Sequence, residues 1–324
     1  VPDLCLRERD PRLEFAALTD IACWAGRFTP SISLDAPDVV LLEVWACLRL
    51  FGGLGPLCEA ILAGLDELGF LALAVATAAL AARWLARFAP GTLVVDACDL
   101  TPHLDALPLA ALFDGEAVSS SSMDLLTGIG VQSLAGVRRL PRSGLARRQA
   151  QAVTDQLDRA CGAVPDPRPW FVPPERYLAR LPLPAPTDQV DTLLFGVRRL
   201  LTGLGGWLDA RQAGLERFSL VLEYERNRHQ PEGGCEIVLG ALSRDMARCQ
   251  LLAREHLSHQ PLPAPVDALR LEADTPRPLA PPRTDLFQGD DGQDGDPGLL
   301  LAILRARLGP DAVRVWPPTL TTGR

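Results

Sequence analysis

An α+β fold in more than one domain is what this sequence predicts, and three observations carry the prediction. Short extended runs alternate with helical periodicity in the first hundred residues. A wholly helical middle follows, broken by glycine and proline. Past a proline-rich stretch, a strand–helix–strand–strand–helix–strand order returns. A chain of 324 residues has room for two or three such domains, each with its own core. Its 48% hydrophobic and 22% charged residues are those of a folded protein rather than a disordered one.

The elements follow in order. Leu13, Ala17, Ile21 and Trp24 recur at helical spacing between Asp10 and Phe28. After Thr29-Pro30 the pattern becomes extended, over residues 31–34 and 39–45. Leu50-Phe51-Gly52-Gly53 forms a turn, and residues 57–68 are helical again. The most apolar run, residues 68–82, is shorter than the ~20 residues of a membrane span and ends at Arg83. It reads as a strand over residues 71–75 and a helix capped near Thr77, with no membrane as partner. Residues 107–162 read as short helices separated at Gly128, Gly130, Gly136 and Pro141. Residues 165–174 are a proline-rich linker. Beyond it come a strand at 181–183, a long helix over 188–210, and a strand over 218–224. That strand alternates Phe218, Leu220, Leu222 and Tyr224 on one face. A strand at 237–239, a helix over 244–257 and a strand over 266–271 complete this module. Proline, glycine and aspartate dominate residues 276–297, the composition of a flexible acidic tail, and a last helix covers 299–308.

The net charge of −8 and pI of about 5.1 argue against nucleic acid as a partner if charge is spread evenly, but it is segregated. Arg138, Arg139, Arg142, Arg147 and Arg148 crowd the middle, while Asp285, Asp290, Asp291, Asp294 and Asp296 crowd the tail. The eight cysteines form no Cys-x-x-Cys pair and no secretory signal precedes them. Cys23, Cys47 and Cys98 read as small buried hydrophobes in a reducing cytoplasm. Val1 is not an initiator methionine, and the final Thr-Leu-Thr-Thr-Gly-Arg completes no element, so the sequence reads as a fragment.

Several motifs carry no functional assignment. His256-x-x-His259 with Cys249 upstream has metal-like spacing but no convincing fourth ligand, so no metal site is assigned. Gly203-x-Gly205-Gly206 follows a helix rather than a strand and reads as a loop, not a dinucleotide motif. The serines at 119–122 have no base beside them and read as a linker. Trp24, Trp84 and Trp207 lie on apolar helical faces and read as core.

Two constellations remain. Arg27-Phe28-Thr29-Pro30-Ser31-Ile32 followed by Pro37-Asp38-Val39-Val40-Leu41-Leu42-Glu43-Val44 resembles the palm strands of the Y-family DNA polymerases. In active members the resemblance implies an adjacent Asp-Glu pair here, because two Mg²⁺ ions ~3.5–4 Å apart must be held by clustered carboxylates. Asp38 stands at the aspartate's place and Val39 at its partner's, and valine cannot ligate a metal. The family's Lys-x-x-Ala-Lys element, which meets the triphosphate, resembles Ala79-Leu80-Ala81-Ala82-Arg83, with one cation kept and one lost. The family's remaining carboxylate is expected before Val1. The second constellation, Leu126-Thr127-Gly128-Ile129-Gly130, reads by itself as a helix-hairpin-helix turn. Its glycines let phosphate approach backbone N–H groups, and the five arginines follow.

Pro37-Asp38, Leu41-Leu42 and Leu50-Phe51-Gly52-Gly53 together resemble the ImuB-type, degenerate branch of that family. Gly130-Val131-Gln132-Ser133-Leu134 and Leu140-Pro141-Arg142 resemble its thumb. Asp166-Pro167-Arg168-Pro169 and Phe171-Val172-Pro173-Pro174 resemble the entry to its little finger. The resemblance implies a partial palm over 1–95, a small helical thumb over 96–164, an α+β little finger over 165–275 and a flexible tail over 276–324. It implies a non-catalytic, DNA-binding adaptor in translesion synthesis and damage-induced mutagenesis. The partners would be primer-template or single-stranded DNA, the sliding clamp, an error-prone replicative-type polymerase and an ImuA-like protein. No cofactor is expected, and Mg²⁺ only if the site is catalytic. Gly128, Gly130 and the five arginines would hold DNA. In the tail, Arg283-Thr284-Asp285-Leu286-Phe287 resembles the bacterial clamp-binding peptide, with arginine for its leading glutamine; Asp285, Leu286 and Phe287 would make the contact. Two alternatives stay open: an active low-fidelity polymerase, and a protein-interaction hub without DNA binding.

Overall fold

The computed structural model describes residues 9–70, 73–115, 117–225, 232–259, 261–279, 297–308 and 312–313. Helix α1 (Pro11–Ala25) precedes the short strands β1 (Ile32–Asp35) and β2 (Val39–Leu42), then α2 (Leu54–Leu68), α3 (Ala79–Phe88) and α4 (Ala97–Asp105). Four short helices follow: α5 (Ser120–Gly128), α6 (Leu134–Arg138), α7 (Arg142–Arg147) and α8 (Gln151–Ala160). Then come β3 (Tyr177–Thr187), α9 (Val190–Arg211), β4 (Ala213–Tyr224), β5 (Glu232–Ser243), α10 (Met246–His259), β6 (Val266–Ala273), β7 (Arg277–Pro278) and α11 (Pro297–Leu308). The fold class is α+β. Two compact units are built: residues 1–32, 44–50 and 171–324 make one, and residues 33–43 and 51–170 the other. Among the described residues no helix is long and apolar enough to cross a membrane.

The first unit is a sheet in the order β3-β6-β4-β5, antiparallel throughout. Period-2 alternation places Phe218, Leu220, Leu222, Leu269, Leu271, Tyr177 and Ile237 on one buried face, which α9 and α10 cover. The opposite face carries Arg180, Arg217 and Arg270, each ion-paired to glutamate: Glu223, Glu236, Glu232 and Glu272. The expected strand at 237–239 lies within the twelve-residue β5. Helix α1 begins at Asp10, whose carboxylate accepts from the Arg12 and Leu13 N–H groups with Pro11 in the first turn. It packs on α9, where Gly206 is required: a Cβ there would lie 2.4 Å from the Trp24 carbonyl oxygen. Gly203, Gly205 and Gly206 therefore belong to a buried helix interior and not to the loop the sequence suggests. Close helix packing, invisible in a glycine-rich triplet, is the reason. Helix α11 docks on α10 and β5, burying Ala302 and pairing Arg307 with Glu255 at 2.6 Å.

The second unit has one core running from Leu80 to Ala160, across residue 95, with Trp84, Leu85, Leu100, Leu104, Leu126 and Leu134 at its centre. The trace over 73–75 is held to residues 91–94 by Val75 N–H to Thr92 O at 3.0 Å and Val94 N–H to Val75 O at 2.9 Å, a single parallel bridge. The expected strand over 71–75 reduces to that bridge among the described residues, and α3 starts at Ala79, capped by Ala78 rather than Thr77. The serines at 119–122 open α5 instead of forming a linker. Trp24, Trp84 and Trp207 are core, as expected; Cys23 is buried, but Cys98 is exposed and Cys47 half-exposed.

Candidate functional site

The β1–β2 hairpin presents Asp35 at the end of β1 and Asp38 one residue before Val39 opens β2. Helix α3 faces this hairpin with Arg83 and Arg87, four residues apart and so on one helical face. The Arg83 guanidinium lies between two carboxylates, with Nη1 2.8 Å from Asp35 and Nε 3.0 Å from Asp114. Arg87 bridges the other oxygen of Asp114 to both oxygens of Asp38. Arg168, in the proline-rich stretch, takes the second oxygen of Asp35 and holds Asp166 at 2.8 Å. All six oxygens of Asp35, Asp38 and Asp114 are thus engaged by guanidinium groups. The centre of this chain is dry: the Arg83 side chain is 9% exposed and that of Asp114 is 4% exposed. Burial pulls the Arg83 pKa down, but hydrogen bonds and charge from Asp114 and Asp35 outweigh it and leave the group above its ordinary value.

Arg83 was the cation expected to meet a triphosphate. It is instead buried and spent on its own unit's carboxylates. Arg87, Asp114 and Arg168 are the participants the sequence did not announce, because their partners lie 27 to 133 residues away. Only the four-residue spacing from Arg83 to Arg87 was legible.

A second locus lies at the α5–α6 hairpin. Gly130 has φ +82, a left-handed conformation that makes glycine the natural residue there. The N–H groups of Ile129, Gly130 and Val131 donate back to Leu125, Thr127 and Leu126. Those three are therefore not free for phosphate, contrary to the reason for which the glycines were singled out. Between residues 128 and 150 there are five arginines and no acid. Arg138 is tied to Asp105 at 3.2 Å and Arg142 to Asp158 at 2.6 Å. The hydrogen bond from Arg142 holds Asp158 below the usual carboxylate range. Arg139, Arg147 and Arg148 are exposed and have no ion pair among the described residues. Of the five, they are the three left open to an anionic partner among the described residues.

The remaining candidates separate. Burial pushes the Cys249 thiol up to about 12, and His259 bonds the Glu255 carbonyl of its own helix at 2.8 Å, with His256 half-buried between them. Among the described residues no group of three or more His, Cys, Asp or Glu is placed to hold a metal. Asp285, Leu286 and Phe287 lie outside the described residues.

No family model matches the chain. Protein ImuB of Caulobacter vibrioides, in two strains, is 28% identical to it over 319 residues, covering 98% of this chain and 68% of the relative. Among solved structures, an insertion ternary complex of Dbh DNA polymerase aligns with a TM-score of 0.39 at 16% identity, covering 82% of this chain and 76% of that one. DinB from Sulfolobus solfataricus aligns with a TM-score of 0.40 at 16% identity, covering 83% and 78%.

Proposed function

We propose that this chain, similar to ImuB along 98% of its length, is a DNA-damage-tolerance protein that grips DNA without polymerising it. One observation carries the non-catalytic part: every carboxylate oxygen of Asp35, Asp38 and Asp114 is taken by an arginine. A divalent ion asks for several oxygen ligands at ~2.0–2.6 Å and would have to displace those guanidinium groups first. Val39 removes the neighbouring ligand as well. The palm, thumb, little-finger and tail divisions at residues 95, 164 and 275 belong to this reading.

The expected result of a primer-extension assay with Mg²⁺ or Mn²⁺ is no product above a mock preparation. Val39→Glu is expected to leave that result unchanged, since the new carboxylate would join a site already filled by Arg87. Template-dependent extension lost on Asp38→Ala would establish the polymerase reading instead.

The adaptor part rests on the tail. Asp285-Leu286-Phe287 would enter a clamp pocket, with the error-prone polymerase and an ImuA-like protein as further partners. Burying Leu286 and Phe287 is worth about 3–6 kcal/mol before ordering costs, so the peptide alone should bind no tighter than roughly micromolar. In a clamp titration, Leu286→Ala/Phe287→Ala is expected to abolish binding while DNA affinity stays intact. Equal clamp binding by both proteins would remove the motif from the reading.

A further inference from the structure

The second unit ends its Val75 bridge with an open strand edge. In a parallel pairing, N–H and C=O of one residue point to the same side, and alternate residues point to opposite sides. Thr92 O and Val94 N–H serve Val75, so the N–H and C=O groups of Leu93 and Val95 face away from it. Neither the Leu93 nor the Val95 N–H has a hydrogen-bond partner among the described residues. The side chains alternate correspondingly: Val94 is 2% exposed, while Leu93 is 52% and Val95 57% exposed. An edge with large apolar side chains and no charge along it invites another strand.

Directly beyond the edge the surface becomes concave and acidic. A cavity of about 410 Å³ is lined by residues 93–96, with Asp99, Pro102 and His103 from α4. Asp96 stands at the N-cap position of α4 without a side-chain capping bond, Asp99 lies in the first turn, and both are exposed. Neither carboxylate has an ion pair with arginine among the described residues. The Cys98 thiol approaches Asp99 at 3.8 Å, which neutralises nothing.

We propose that residues 92–95 are a docking edge for an extended segment of a partner protein. The segment adds a strand beside Leu93 and Val95, covers them with two apolar side chains spaced by two residues, and sets an arginine or lysine against Asp96 and Asp99. Backbone pairing supplies the binding and the acid pair supplies the direction and the basic requirement. The proposal is independent of the polymerase-like reading, because it uses neither the hairpin carboxylates nor the thumb arginines.

The experiment uses the full chain and an eight-residue probe peptide alternating valine and threonine and ending in two arginines. Binding is read by fluorescence anisotropy and by amide exchange. In the protein alone, the Leu93 and Val95 amides are expected to exchange fast; saturating peptide should slow them at least tenfold. Val95→Lys, an exposed position that folding tolerates, is expected to weaken the peptide at least tenfold. Asp96→Asn/Asp99→Asn should weaken it several-fold, yet leave a peptide ending in two serines unaffected. Protected amides in the peptide-free monomer would mean that the chain itself already fills the edge, and would overturn the proposal. So would a concentration-dependent dimer broken by Val95→Lys, which would make a second copy the occupant. Binding insensitive to all three substitutions would overturn it as well.

Discussion

Arg83→Met is expected to destabilise the second unit by roughly 3 kcal/mol, near the lower end of the cost of breaking one partner out of a buried ion pair. The side chain is 9% exposed and sits between Asp35 and the 4%-exposed Asp114. Methionine would fill much of the volume but leave a buried carboxylate edge without its cation. Two neighbours limit the damage, since Arg87 still reaches Asp114 and Arg168 still reaches Asp35. Urea unfolding would read this as a lower midpoint at unchanged slope. Adding Asp114→Asn to Arg83→Met should recover part of the loss, because it removes the uncompensated charge rather than restoring the pair. If the single substitution changes stability by less than about 1 kcal/mol, the chain of guanidinium groups is a surface arrangement and not a buried one. In that case a divalent ion could compete for the carboxylates, and the hairpin could hold the metal that polymerisation needs.

Replacing Arg139, Arg147 and Arg148 together by alanine is expected to lower affinity for single-stranded DNA on the order of a hundredfold at low salt. These residues are exposed and unpaired among the described ones, whereas Arg138 and Arg142 already hold Asp105 and Asp158. Each phosphate neutralised on a single strand contributes about −0.7 to the slope of log K against log[salt], so three contacts give about −2 and five would give about −3.5. The measurement is a salt titration of wild type and triple variant. A wild-type slope near −2, flattened in the variant, supports DNA gripped by these three. A slope unaffected by the triple variant would favour a protein-interaction hub, which the overall charge of −8 also suits. Arg138→Ala/Arg142→Ala should move the slope less, because those side chains are already committed to carboxylates.

Much of the architecture is legible in the sequence. The long helix expected over 188–210 is α9 (Val190–Arg211), and the alternation of Phe218, Leu220, Leu222 and Tyr224 does mark the buried face of β4. Both signals are local: side-chain period follows directly from backbone geometry and burial on one side. The same locality explains the misreadings. Three glycines within four residues suggested a loop, since nothing local revealed that Trp24 would press its backbone against Gly206. The expected helix start at Thr77 followed capping preference, and the chain instead begins α3 at Ala79.

What the sequence determined by itself is the order of elements, the alternation that buries one sheet face, a valine rather than a second carboxylate beside Asp38 and the gathering of arginines in the helical middle. Each is a property of neighbours along the chain. Only the tertiary structure decided what those charges do. It spent Arg83, Arg87 and Arg168 on Asp35, Asp38 and Asp114, tied down Arg138 and Arg142, and left Arg139, Arg147 and Arg148 without an ion pair among the described residues. The physical reason is that a Coulomb interaction depends on separation in space and on the local dielectric. Residues as far apart as Asp35 and Arg168, 133 positions along the chain, acquire both only when the chain folds.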